Sequence, residues 1–122
     1  MSENKIKITI GKVTIEAVML RNNTAMDFIN FLPLDIRMDD LFGIEKYGNL
    51  PGALSTDSQF QNTYEVGDIA YWAPSNDLAI YYKQDNKTIA KPGIIIIGKI
   101  NININLFDIR HPLLLRIEKM KY

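Results

Sequence analysis

A chain of 122 residues with 47% apolar side chains suits a single domain spanning residues 1–122 and can fill one core. Fourteen basic residues balance fourteen acidic ones, so no cationic surplus points to nucleic acid or an anionic membrane as a partner. The lack of cysteine excludes disulfides, thiol catalysis and thiolate-held metals. The opening MSENKIKIT has no apolar signal-peptide stretch, and the isoleucine run at 94–97 is too short to cross a bilayer. A cytoplasmic protein is therefore expected.

Residues 5–10 alternate, with Ile6, Ile8 and Ile10 on one face, and the alternation resumes at Val13 after Gly11-Lys12. Two strands joined by a glycine-first pair predict a type II′ hairpin. Asn23 and Thr24 then offer N-cap oxygens to a short helix, with Thr24 and Asp27 at capping-box spacing. Ala25, Phe28, Ile29 and Leu32 make its apolar stripe, and Pro33 ends it near Leu32. Residues 34–42 read as a strand with Ile36 and Met38 opposing Asp35, Arg37 and Asp39. Residues 43–63 carry mostly loop signals, and a connection this long holds short strands or a functional role. Tyr47 and Leu50 are its candidate anchors.

GDIAYWAPSNDLAIYY at 67–82 is a second hairpin turning at Pro74-Ser75-Asn76-Asp77. By the period-two rule Tyr71 and Trp72 face opposite ways, as do Tyr81 and Tyr82; one of each pair is core and the other faces outward. After a polar loop at 85–91 and a Pro92-Gly93 turn, GIIIIGKINININ alternates through residue 105, with Gly98 marking a bulge or a close backbone approach. A helical turn at 106–110 and a last strand at 113–120 follow. Six to eight short, mostly antiparallel strands with one firm helix fit a closed β-barrel, which leaves no aggregation-prone edge.

The parts occur in the order of a compact cyclophilin. The combination of Thr24-Ala25 with Phe28, Leu32-Pro33-Leu34, Glu45-Lys46-Tyr47-Gly48, Gly67-Asp68-Ile69 with Trp72 and Pro74, Gly98-Lys99-Ile100 and LLLRIEKM resembles small bacterial cyclophilin-like domains over residues 5–120. The resemblance implies a mainly β fold: a closed antiparallel eight-stranded barrel with one or two short helices.

Cyclophilins twist prolyl peptide bonds, lowering a barrier of ~18–20 kcal/mol without covalent chemistry. In them an arginine polarises the amide, and a glutamine and an asparagine hold the peptide. Here the Phe-His-Arg stretch that supplies the arginine is missing. Residues 45–50 stand in that region with Lys46 as the only cation, and the second hairpin has no glutamine. Lysine lacks the guanidinium fork. The expected function is binding of a small ligand or an extended peptide in a groove lined by Glu45, Tyr47, Tyr71, Trp72, Asn76 and Tyr81. One alternative is a divergent peptidyl-prolyl isomerase with Arg37 as replacement catalytic residue; another is a structural or interaction module. Under the structural reading, Glu45 and Lys46 form a solvated ion pair, Tyr47 lies as a lid over the barrel, and the hairpin aromatics are packing partners. His111, beside Pro112, reads as a surface residue. Asp35, Asp39 and Asp40 lack the EF-hand pattern, and neither a phosphate loop nor a dinucleotide fingerprint occurs, so neither a metal nor a cofactor is expected.

Overall fold

The computed structural model describes residues 4–120. Strands β1 (Asn4–Ile10) and β2 (Val13–Met19) form the first hairpin, with Ile8 opposite Ile15. Gly11 sits at φ +59°, while Lys12 has no positive φ, as a type II′ turn requires.

Helix α1 (Asn23–Asn30) begins one residue earlier than its expected cap: Asn22 Oδ1 accepts from the Ala25 backbone N–H at 2.8 Å. The Asn22 amide also donates to the Ile96 carbonyl at 2.9 Å, fixing the helix to the sheet. Thr24 and Asp27 do not close a capping box. Both are drawn instead to the long excursion, where Thr24 Oγ1 donates to the Ser55 carbonyl at 2.6 Å and the Asp27 carboxylate accepts from Ser55 N–H at 2.7 Å. Those bonds satisfy loop backbone that packs against the helix.

Strand β3 (Leu34–Leu41) alternates as expected, with Ile36 and Met38 buried. Strand β4 (Glu45–Asn49) is a short strand within the long connection at 43–63, one of the two outcomes expected of it. Strands β5 (Asp68–Trp72) and β6 (Asp77–Tyr81) are the second hairpin, followed by β7 (Ile95–Lys99) and β8 (Leu113–Lys119). The strands close in the order β1-β2-β7-β5-β6-β4-β3-β8, with every neighbouring pair antiparallel. This is the mainly β, eight-stranded barrel that the resemblance implies. Ile8, Phe28, Met38, Leu78, Ile80, Ile95 and Ile97 are at most 0% exposed in its interior, and Ala25 with Phe28 brings α1 into the same core.

The isoleucine-asparagine alternation does not carry β7 to residue 105. The strand ends at Lys99, Asn103 takes a left-handed conformation, and Ile104–Phe107 forms a 3-10 turn. A bulge opposite Ile69 and Ala70 shifts the register at Gly98. A Cβ there would meet Met19 Sδ at 2.7 Å and the Val18 carbonyl at 3.0 Å, so both readings of this glycine apply. Ile102, without strand partners, is left 71% exposed. Among the described residues no helix is long and apolar enough to cross a membrane.

Candidate functional site

On β6 the residues alternate between two environments. Leu78 and Ile80 fill the barrel, while Asp77, Ala79 and Tyr81 face outward. Pairing sets Glu45 beside Tyr81 and Tyr47 beside Ala79 on β4, and Trp72 beside Asp77 on β5. A methyl group at Ala79, between the larger residues, leaves a hollow in the outer surface. The connection between β6 and β7 roofs it with Ile89, Ala90 and Ile94, and Leu41 and Phe42 close the side at the end of β3. The resulting cavity has a volume of about 470 Å³.

The roof is held in place by backbone bonds. Gln61 and Ile94 exchange N–H···O bonds at 2.8 Å, and Ile89 N–H donates to the Asn62 carbonyl at 2.8 Å. Tyr64 stacks on Tyr81 with ring centroids 4.0 Å apart, and its hydroxyl donates to Asp85 at 2.8 Å. Phe42, at positive φ, stands 89% exposed on the rim.

Glu45 is the unusual polar group. It is half-buried, and among the described residues its carboxylate has no hydrogen-bond or ion-pair partner. Burial foremost, then the negative charges of Asp85 and Asp77, push its pKa up to about 7. Burial and then the Glu45 charge likewise push the Tyr81 phenol far above its ordinary value. Burial raises Tyr64 to about 12.

Of the residues expected to form a groove, Glu45, Tyr47, Trp72 and Tyr81 come together here, and Tyr71 and Asn76 do not. Tyr71 is the inward member of its pair, 1% exposed; its hydroxyl donates to Asn76 Oδ1 at 2.6 Å and accepts from Leu54 N–H at 3.1 Å. Asn76 occupies the left-handed corner of the hairpin turn (φ 58°, ψ 45°), and its side chain is committed to that bond. Both tie the turn to the excursion rather than facing the cavity. Arg37 points outward from β3, paired with Asp39 at 3.2 Å, and lines a separate depression beside β8. Among the described residues no arginine or lysine lines the cavity.

Lys46 is not the solvated partner of Glu45. It is fully buried inside the barrel mouth, where its Nζ donates to Asp40 at 3.2 Å, to the His111 carbonyl at 3.1 Å and to the Ile109 carbonyl. Tyr82 donates to Asp40 as well, and Arg110 donates to the Tyr82 hydroxyl at 2.9 Å. Burial works to raise the Asp40 pKa, but the bonds from Tyr82, Gly43 and Lys46 outweigh it and hold the carboxyl below its usual value. The aspartates of β3 are thus divided: Asp35 pairs with Arg116, Asp39 with Arg37, and Asp40 turns inward. Among the described residues no three His, Asp or Glu side chains gather as a metal site.

Residues 8–118 match the sequence profile described as the cyclophilin-like family. The chain belongs to that family. Among solved structures, this cyclophilin-like protein is similar to a hypothetical protein of Archaeoglobus fulgidus determined in solution. The two share 18% identity and a TM-score of 0.77 over 97% of this chain and 95% of that one. At that identity the likeness is one of fold. No curated protein matches the sequence.

Sequence reasoning missed Asp77, Ala79, Leu41, Phe42 and the three roof residues. The period-two rule was signal enough for Asp77 and Ala79, which share a face with Tyr81. Nothing local marks Ile89 and Ala90 as a roof, because their position depends on the distant bonds to residues 61 and 62.

Proposed function

We propose that this cyclophilin-like barrel is a binding protein that takes a small, largely apolar molecule into the cavity on its outer face. The observation that carries the reading is a roofed hollow of about 470 Å³, floored by Ala79 and walled by Trp72, Tyr47 and Tyr81, with one unpaired carboxylate, Glu45. Small-molecule sites have this size and this mixture of aromatic wall and few polar groups. A small molecule suits the site better than a strand-like peptide, since β4 and β6, which carry the cavity, are each paired on both sides and offer no edge there for backbone pairing. The isomerase alternative has no comparable support, given the lack of a guanidinium at the cavity.

The test is saturation-transfer NMR with a panel of small aryl compounds, applied to the native protein and to Ala79→Leu. The larger side chain fills the hollow, so binding weakens at least about tenfold, while stability falls by no more than about 1–3 kcal/mol because Ala79 is itself buried. Equal binding to both proteins places the ligand elsewhere and ends this reading.

A further inference from the structure

We infer that the ligand is a small organic cation, whose ammonium or guanidinium group meets the Glu45 carboxylate while its apolar body lies against Trp72, Tyr47 and Tyr81. The inference rests on the binding reading above and adds the chemical class. Three observations converge on it. The Glu45 carboxylate is half-buried and has no partner among the described residues, so it lacks part of its hydration, a state that a cation relieves and a neutral hydrocarbon does not. The charge in the cavity is of one sign: Glu45 and Asp77 line it, and no lysine or arginine does. The lining includes three aromatic side chains, Trp72, Tyr47 and Tyr81, of the kind that attracts a cation through the ring quadrupole as well as by apolar contact.

The groups around Glu45 support the same sign. Tyr81 and Asp77 face it from β6, and Tyr47 from its own strand. Asp85 and Tyr64 approach from the loops and are hydrogen-bonded to each other. Lys87 lines an adjoining depression that Glu45, Tyr81 and Asp85 also line; among the described residues it is the one cation on that side, against the carboxylates of Glu45 and Asp85, and the Asp85 carboxylate accepts from the Lys87 backbone N–H at 3.0 Å. On β3, Asp39 is neutralised by Arg37. A permanent cation docked at Glu45 favours its ionised form, so binding tightens as pH rises and the carboxyl loses its proton. A ligand that instead accepted a hydrogen bond from protonated Glu45 would show the opposite slope.

Trp72, the only tryptophan in the chain, reports on the cavity directly. Its fluorescence is titrated with phenyltrimethylammonium and with the neutral isostere tert-butylbenzene, at about pH 5.5 and about pH 8.5. The cation is expected to bind roughly tenfold more tightly than the isostere at the higher pH, with the preference shrinking at the lower pH. Glu45→Gln, nearly isosteric and relieved of a buried charge, keeps the fold and loses both the preference and its pH dependence. If both compounds bind alike, or the isostere binds better, the cation inference is overturned and the cavity reading stands. If neither perturbs Trp72, the cavity reading falls with it.

Discussion

Glu45 and Lys46 are neighbours on β4, and strand geometry sends one outward to the cavity and the other inward to the barrel mouth. Lys46 has three donors and three acceptors: Asp40 and the carbonyls of Ile109 and His111. Its charge is used up in joining the β3–β4 edge to the loop before β8. Glu45 is half-buried and, among the described residues, has received no partner in return. The difference separates two kinds of buried charge: one completes a structural network, and the other leaves a demand that a ligand can meet.

The largest expected effect breaks the inner member. Lys46→Met removes the cation from Asp40, which keeps only its bonds from Tyr82 and Gly43, and leaves the carbonyls of Ile109 and His111 without this donor; urea denaturation should show a loss of about 3–5 kcal/mol. A loss under about 1 kcal/mol would mean that this network is not a structural tie.

Glu45→Gln should act in the opposite direction. The folded-state pKa of Glu45, about 7, lies above the ordinary value of 4.5, so the folded state holds its proton more tightly than the unfolded chain does. The resulting stability is fully present below about pH 4.5 and is lost as pH rises to about 7. Denaturation across this range should show the variant gaining on the native protein, reaching about 1–3 kcal/mol more stable at about pH 8. A constant difference across the window contradicts a buried, unpaired carboxylate.

The Tyr71–Trp72 pair repeats the contrast on β5 at smaller scale. Tyr71→Phe removes the hydroxyl that serves both Asn76 and Leu54, and is expected to cost about 1–2 kcal/mol in thermal or urea unfolding. Binding in the cavity should be unchanged, because Tyr71 faces the core. A weakened affinity without loss of stability would show that Tyr71 reaches the ligand.

The barrel was readable in the chain wherever one face of a strand is apolar: Ile6, Ile8 and Ile10, Ile36 and Met38, or the period-two hairpin at 68–81. The rule fails where tertiary bonds override local pattern. Ile102 and Ile104 alternate like a strand but have no neighbour to pair with, and they leave the sheet. Glu45-Lys46 looks like a solvated pair in one dimension, yet the strand separates the two to opposite faces. Trp72 and Tyr81 were legible as half of a groove. Which hairpin aromatic faces outward was not legible, because that depends on the barrel's register. The period-two rule puts Ala79 on the face of Tyr81, but the hollow above it was not legible, because a hollow is made by what a side chain lacks.

The most direct test of the account is a carbon-13 NMR titration of the Glu45 side-chain carboxyl, with and without phenyltrimethylammonium. The free protein should titrate near pH 7, and the midpoint should fall when the cation is bound. A midpoint near the ordinary 4.5 in the free protein, unmoved by the cation, would mean that Glu45 is solvated and that the cavity makes no demand for charge.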